Sequence, residues 1–245
     1  MSSSVPVALI TGASRRIGAA IVADLHGRGF RIALHYHRSA EAAQRLILQL
    51  NAQQPDSVMP LPADLAQTAD LPLLVQRVVD HWGRLDVLIN NASAFFPTAV
   101  GSVTETDWNA LLDSNLKAPF FLSQAAIPSL ARQQGCIINL IDIYADRALA
   151  GHPVYSIAKA GLAALTRSLA VELAPEIRVN GIAPGAILWP EQGLASDEQA
   201  GILARIPLGR SGTPEDIVKA VRYLLDAPYV TGQILTVDGG RTLTI

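Results

Sequence analysis

The chain has 245 residues, of which 50% are apolar and 16% charged, and its formal net charge is −2. A chain of this length can bury one large core, so we expect a single domain over residues 1–245. The near-neutral charge predicts neither a nucleic-acid nor a membrane partner. A single cysteine, Cys136, excludes an internal disulfide, and the start of the chain lacks the pattern of a signal sequence or membrane span. We therefore expect a cytoplasmic protein.

Short runs rich in Val, Ile and Leu alternate with longer helix-like segments. This alternation predicts an α/β fold, a Rossmann-like, doubly wound parallel sheet with helices on both faces. The seven predicted strands are Val7 to Ile10, Arg31 to His35, Ser57 to Pro60, Val87 to Ile89, Cys136 to Ile141, Arg178 to Ile182 and Ile234 to Val237. The predicted helices begin at Arg16, Ala40, Leu71, Thr106, Tyr155 and Pro214. The stretch 189–207 is long for a plain connection, so we interpret it as a substrate loop.

A glycine turn follows the first strand and leads into the first helix. It includes Gly12, Arg15, Arg16, Ile17 and Gly18. Such a turn aims unpaired backbone N–H groups and the positive end of the helix at a pyrophosphate, while glycine lets the backbone approach closely. An ordinary strand-to-helix turn explains two glycines equally well. The prediction of a coenzyme site here therefore depends on the rest of the chain.

A polar, partly basic segment ends the second strand. Its residues are His35, Tyr36, His37, Arg38 and Ser39. An acidic residue here would bind the ribose 2′-hydroxyl of NAD, whereas arginine and a hydroxyl suit the 2′-phosphate, so NADPH is predicted. The two histidines lack a third ligand at a suitable spacing, and no metal site is predicted. Asp64 and Leu65 follow the third strand, where Asp64 would meet the adenine amino group or act as an ordinary helix cap.

Tyr155 and Lys159 are four residues apart, so on a helix both side chains lie on one face. A phenol with a pKa of about 10 is a poor acid or base at neutral pH, and a nearby ammonium lowers that pKa. The lysine can also hold the nicotinamide ribose. Alone the pair is ordinary on an exposed helix, but together with the glycine turn it indicates a catalytic pair.

These residues resemble the short-chain dehydrogenase/reductase family along nearly the whole chain. The matching positions are Thr11-Gly12 with Gly18, Asn90-Asn91-Ala92, Asn115, Tyr155 with Lys159, and Pro184-Gly185. The resemblance implies a coenzyme lying across the carboxyl ends of the strands, in contact with Asn91, Ala92, Pro184, Gly185 and Ile187. It further implies that Asn90 and Asn91 stabilise the central strands and that Asn115 supports a proton-relay water.

Two departures from the usual family pattern indicate a subgroup of the family. The usual family pattern has glycine at position 16 and serine or threonine thirteen residues before the tyrosine, where this chain has Arg16 and Asp142. Both replacements resemble the pteridine reductases, as do segments 35–39, 90–98 and 183–185. In that group, the resemblance implies, a pterin stacks between the nicotinamide and a phenylalanine matching Phe95. Arg16 and Ser93 would then touch both the pterin and the coenzyme phosphate.

The carboxyl of Asp142 suits this substrate, because reduction of a pterin C=N bond requires a proton at a ring nitrogen. If ionised, Asp142 keeps Tyr155 protonated as the donor, and if protonated it donates directly. The sequence does not decide between the ionised and the protonated state of Asp142. It is also compatible with Asp142 being an ordinary turn residue at the end of a strand. Adjacent aromatic residues point in opposite directions, so of Phe95 and Phe96 we expect only Phe95 to stack, the alternative being core packing. Trp189 would close the pocket, beside Gly185, or cover bare sheet.

Three functions remain open on these residues. The first is NADPH-dependent reduction of dihydropterins, with dihydrofolate as a further substrate, and the second is general carbonyl or imine reduction. The third is a non-catalytic NADPH-binding module, against which the intact Asn115, Tyr155 and Lys159 argue. The family resemblance also implies a homotetramer built through the helix that contains Ala158 to Ala174, although packing on its own sheet would explain the same apolar face.

Overall fold

A parallel sheet of seven strands forms the centre of the computed structural model, which describes residues 5–189, 193 and 195–245. The strands are β1 (Val7–Ile10), β2 (Arg31–Tyr36), β3 (Val58–Pro62), β4 (Val87–Asn90), β5 (Cys136–Leu140), β6 (Arg178–Pro184) and β7 (Ile234–Val237). Their order is β3-β2-β1-β4-β5-β6-β7, and every neighbouring pair is parallel. The predicted doubly wound α/β fold is confirmed. The strand order reverses between β1 and β4, where such sheets bind ligands.

Helices connect the strands. They are α1 (Arg16–Gly27), α2 (Ala40–Gln53), α3 (Leu71–Trp82), α4 (Glu105–Leu112), α5 (Ala118–Ala131), α6 (Pro153–Glu172), α7 (Ser196–Leu203) and α8 (Pro214–Asp226). Two predicted helix starts need small corrections. The helix expected from Thr106 begins at Glu105, because Thr104 and Asp107 form a capping box, and the helix expected from Tyr155 begins at Pro153, which suits a first helical turn.

Two further differences concern helices that the sequence prediction did not separate. Between α4 and α5 the chain forms a π-helical turn, Asp113–Lys117, so the helix expected from Thr106 is two helices with a widened turn between them. The predicted substrate loop 189–207 contains α7, which has no buried residue and therefore gave little apolar periodicity. Residues 190–192 and 194 of that loop, and residues 1–4, lie outside the described residues.

The sheet separates two apolar layers. In β1, Ala8 and Ile10 belong to the layer with α1, α2 and α8, whereas Val7 and Leu9 belong to the layer with α3 and α5. Because both faces are covered, these strands read as continuous apolar runs rather than alternating ones. Cys136 is buried here, and burial raises the pKa of its thiol to about 11, as expected of an unreactive core cysteine. Among the described residues, no helix has the length and apolar character needed to cross a membrane.

Candidate active site

A cavity of about 790 Å³ opens at the carboxyl ends of β1 to β4. Its lining includes the predicted coenzyme residues from the glycine turn, the end of β2 and the loops after β3 and β4, namely Gly12, Arg15 to Gly18, His35 to Ser39, Asp64 to Leu65 and Asn91 to Ser93. The other predicted coenzyme residues, Tyr155, Lys159, Pro184, Gly185 and Ile187, are absent from this lining. Ile187 instead lines a second cavity, of about 480 Å³, with residues after β7.

The glycine turn is shaped so that a ligand can reach its backbone. Gly12 has a φ of +59°, and a Cβ there would lie 2.8 Å from the Ala92 Cα. A Cβ at Gly18 would lie 2.3 Å from the Gly12 carbonyl oxygen. Side chains at these positions would therefore disrupt the turn, whose backbone and the start of α1 face the cavity. The residues present fit the pyrophosphate of a nicotinamide dinucleotide.

Arg16 occupies the turn in an unusual conformation. Its φ of 53° lies in the left-handed region that glycine, the usual family residue here, adopts with less strain. Its guanidinium donates hydrogen bonds to the carbonyl oxygens of Trp189, at 3.0 Å, and Leu188, at 3.2 Å. Arg16 thus links the glycine turn to the start of the predicted substrate loop.

His35 braces the same turn from beneath. The Gly12 N–H donates to His35 Nδ1 at 3.1 Å, so His35 Nε2 carries the proton and donates to the Ala63 carbonyl at 3.1 Å. Burial lowers the pKa of His35 to about 4, which keeps the ring neutral. Both ring nitrogens are occupied by backbone groups, so His35 holds the turn, and its predicted contact with the coenzyme stays a prediction. In the described residues, no group of three His, Cys, Asp or Glu side chains has metal-binding geometry.

The predicted catalytic side chains meet beyond the end of β5. The Tyr155 hydroxyl donates to Asp142 Oδ2 at 2.8 Å, and the Tyr144 N–H donates to Asp142 Oδ1 at 3.0 Å. Lys159 Nζ donates to the Leu140 carbonyl at 2.9 Å and lies 5.7 Å from the centre of the Tyr155 ring. The end of β5 and one face of α6 therefore bring together the carboxyl, phenol and ammonium groups that we predicted from the sequence to be catalytic.

Burial changes the proton affinity of all three groups. It raises the pKa of Asp142, and it raises the pKa of Tyr155 well above its ordinary value, with the neighbouring Asp142 carboxylate acting in the same direction. It lowers the pKa of Lys159 to about 8, against the opposing effect of Asp142. Burial and the adjacent carboxylate dominate over any lowering of the Tyr155 pKa by Lys159, which agrees with the expectation for an ionised Asp142. Tyr155 is held as a protonated donor.

Asn115 lies in the π-helical turn and is fully buried. Its amide donates to the carbonyls of Ala94, at 2.9 Å, and Leu111, at 3.0 Å, and its oxygen accepts from the Ser93 hydroxyl at 2.7 Å. The side chain thus fixes the loop after β4 that carries Ser93. A π-helical turn often marks a functional position. Support of a relay water by Asn115 stays a prediction.

Buried amides hold the centre of the sheet beneath the site. Asn90 donates to Asn139 at 2.8 Å, and Asn139 donates to Thr166 at 2.9 Å, which joins β4, β5 and α6. Asn91 donates to the Thr11 carbonyl at 2.8 Å. This geometry agrees with the implied stabilising roles of Asn90 and Asn91. Asn139 was missed, although a lone amide in the apolar run of β5 was visible in the sequence.

The two adjacent phenylalanines point in different directions. Phe95 is 54% exposed, whereas Phe96 packs against the cluster that contains Tyr155. The Phe95 ring contacts Tyr155 edge-on, with 4.8 Å between ring centres and 82° between planes. An exposed aromatic ring thus lies next to the Tyr155 and Asp142 pair, and stacking of a substrate on Phe95 stays a prediction. Trp189 is half-buried, and its backbone carbonyl is held by Arg16.

A family profile matches this architecture. The family described as enoyl-(acyl carrier protein) reductase matches residues 12–242. The chain belongs to the short-chain dehydrogenase/reductase family. As a member of that family it is an oxidoreductase with a nicotinamide coenzyme. This agrees with the glycine turn, whose backbone fits the pyrophosphate of a dinucleotide.

Relatives of this short-chain dehydrogenase/reductase differ in substrate. The chain is 37% identical to pteridine reductase 1 of Leishmania tarentolae, with 99% of this chain and 98% of that protein covered. It is also 37% identical to a 3-oxoacyl-(acyl-carrier-protein) reductase of Staphylococcus aureus, with 95% and 96% covered. Overall sequence identity therefore does not distinguish between these substrates, and individual residues of the site have to.

Three residues of this short-chain dehydrogenase/reductase site were not selected from the sequence. Arg241 donates to the Tyr144 hydroxyl at 3.0 Å, and its charge opposes the rise in the pKa of Asp142. His152 stacks on Phe95, with 4.7 Å between ring centres and 7° between planes. Tyr144 and His152 lie close in sequence to Asp142 and Tyr155, which was an available signal. Arg241 is distant in sequence and gave none.

Proposed function

We propose that this protein reduces dihydropterins to tetrahydropterins with NADPH, and that dihydrofolate is a further substrate. The observation that carries the proposal is the 2.8 Å hydrogen bond from Tyr155 to Asp142, a carboxyl where the common family pattern has a hydroxyl. The exposed Phe95 ring beside this pair supports a flat heteroaromatic substrate.

The proposed division of labour follows from the positions of the side chains. When bound, NADPH supplies the hydride. Asp142 and Tyr155 hold a proton for the substrate nitrogen, since burial raises the pKa of both groups. The Lys159 ammonium, 5.7 Å from the Tyr155 ring centre, stabilises the negative charge that remains on the pair after transfer.

We assign the remaining substrate contacts to residues around this centre. They are Arg16, Ser93, Phe95, Gly185 and Trp189. Arg16 and Ser93 line the coenzyme cavity, and Arg16 also holds the start of the substrate loop, so the two can contact both ligands. A basic side chain meeting an electron-rich pterin and a coenzyme phosphate has a favourable charge.

NADPH is proposed over NADH because of the segment after β2. His37, Arg38 and Ser39 line the cavity, and no acidic side chain stands in this segment to bind a free ribose 2′-hydroxyl. The free Cys136 thiol suits the reducing cytoplasm, which we propose as the location.

The proposal is tested by following NADPH absorbance with dihydrobiopterin, dihydrofolate and a simple ketone in parallel. We expect NADPH consumption with the dihydropterin and none above background with the ketone. Replacing NADPH by NADH should lower kcat/KM at least about tenfold, since a charge-assisted hydrogen bond to the 2′-phosphate is lost. Consumption with the ketone but not with dihydrobiopterin would overturn the pterin assignment.

A second candidate is reduction of carbonyl or imine compounds in general. The equal identity to the 3-oxoacyl-(acyl-carrier-protein) reductase supports it. A 3-oxoacyl thioester added to the same assay separates the two candidates. If the protein is a general carbonyl reductase, we expect turnover of the thioester. If Asp142 adapts the site to pterins, we expect turnover of the dihydropterin alone.

We also propose a homotetramer. Large apolar side chains are exposed on α5 and α6, with Phe120 40%, Phe121 37%, Ile157 49% and Val171 83% exposed. Exposed apolar side chains on neighbouring helices favour contact with another subunit.

A further inference from the structure

The loop after β4 and the start of α6 are fastened to each other. The Thr98 N–H donates to the Gly151 carbonyl at 2.7 Å, and the Val154 N–H lies 3.4 Å from the Thr98 hydroxyl oxygen. Residues 91–99 have no regular secondary structure of their own. The orientation of the Phe95 ring in this loop therefore depends on the side chains it contacts at the start of α6.

His152 makes the closest ring contact on that side. Its ring is nearly parallel to that of Phe95, 7° apart with 4.7 Å between centres, while Tyr155 meets Phe95 edge-on. Phe95 nevertheless remains 54% exposed. Phe95 therefore combines a stacked contact with His152 and an accessible surface on which a planar ligand can lie.

The His152 ring is itself held in place. Its Nδ1 lies 3.1 Å from the Ala150 carbonyl, which only accepts, so Nδ1 donates and the plane of the ring is fixed. The Ser156 N–H donates to the His152 carbonyl at 3.0 Å, which ties the residue to the first turn of α6. Three residues later the same turn carries Tyr155. The aromatic wall and the proton donor are thus anchored to one rigid element.

We infer that His152 is a positioning residue that orients the Phe95 ring and thereby sets the affinity for a planar heteroaromatic substrate. The inference rests on the proposed function, which places that substrate on the accessible surface of Phe95. Without His152, the Phe95 ring keeps only its contact with Tyr155 and gains rotational freedom, which substrate binding then has to remove. The effect falls on substrate affinity, because His152 contacts none of Asp142, Lys159 or the glycine turn through a ring or hydrogen bond among the described residues.

The variants His152→Ala, His152→Gln and His152→Phe test this inference. Loss of an aromatic pair should raise the KM for dihydrobiopterin about 3- to 10-fold in the Ala and Gln variants, with kcat within about twofold of the wild type. His152→Phe should restore the KM, since it restores the stack. The Kd for NADPH, from coenzyme fluorescence, should stay constant. His81→Ala is the matched control, because His81 also contacts an aromatic ring, that of Trp82, on α3.

A double-mutant cycle with Phe95→Ala isolates the contact. In that background, removing the His152 ring should leave KM unchanged, because the ring that it orients is gone. An unchanged KM in His152→Ala, a Phe variant as weak as the Ala variant, or an equal further loss in the Phe95→Ala background would each refute the inference.

A binding measurement separates this inference from the proposed function. Biopterin binding in the presence of NADP⁺ is followed by quenching of pterin fluorescence. Binding that depends on His152, without turnover of dihydrobiopterin, overturns only the proposed function. Turnover without dependence on His152 overturns only the inference. Absence of both turnover and binding in the wild type overturns both.

Discussion

Asp142 alters the proton affinity of both Tyr155 and Lys159, and this coupling determines what each can do. The carboxylate raises the pKa of the phenol, and it partly offsets the effect of burial on the ammonium. With the pKa of Lys159 lowered to about 8, the ammonium still predominates at neutral pH. The free site therefore combines a cation, a phenol that keeps its proton and a partly buried carboxyl, a set suited to donating a proton rather than removing one.

Replacement of the carboxyl tests its catalytic role. We expect Asp142→Ser to lower kcat for dihydrobiopterin by about 100-fold or more, the usual contribution of a positioned acid, with the Kd for NADPH within about twofold. Stopped-flow kinetics and coenzyme fluorescence measure the two quantities. Asp142 and Asp146 flank a short 3-10 helix, Ile143–Ala145, and Asp146 is exposed. Asp146→Ser is therefore the matched control and should behave as the wild type. Wild-type turnover in Asp142→Ser would remove the carboxyl from the mechanism.

At the scale of single elements, the glycine turn depends on a neutral histidine beneath it. The folded pKa of His35, about 4, lies below its ordinary 6.5. The unfolded chain therefore takes up a proton as pH falls through 6.5, while the folded chain takes it up only near 4. The stabilisation is complete above pH 6.5 and is lost as pH falls from there to about 4.

The pH dependence of unfolding tests whether neutral His35 stabilises the glycine turn. Between pH 7 and pH 4 the free energy of unfolding should fall by up to about 3 kcal/mol on account of His35. Urea unfolding of His35→Gln should show a correspondingly flatter dependence. Equal slopes in the wild type and His35→Gln would contradict the assigned role.

The sequence was a good guide where a local pattern was strong, and a poor one where distant groups met. The apolar runs predicted every strand of the sheet, and the spacing of Tyr155 and Lys159 predicted their shared face. The helix α7 was missed because it buries no side chain and leaves no apolar period. The two backbone partners of His35 come from different strand ends, so no local motif indicated that a residue predicted to bind the coenzyme also holds the turn.

At the scale of the whole molecule, the exposed apolar surface of α5 and α6 predicts assembly. Light scattering at micromolar concentration should give a mass near four times the 26.0 kDa of one chain. Phe121→Arg and Val171→Arg should lower that mass, because a charge would be buried in the interface. Leu73→Arg, at an exposed position of α3, is the control and should leave the mass unchanged. A monomer in the wild type would refute the tetramer.

The left-handed backbone of Arg16 implies a trade-off between folding and specialisation. A non-glycine residue in this conformation destabilises a chain by about 1–2 kcal/mol relative to glycine. The protein tolerates this loss because it needs only to remain above the threshold of stability that its activity demands. In return, one guanidinium spans the gap between two loops from opposite halves of the sheet. Engineering this protein for heat resistance by placing glycine at position 16 would remove that link.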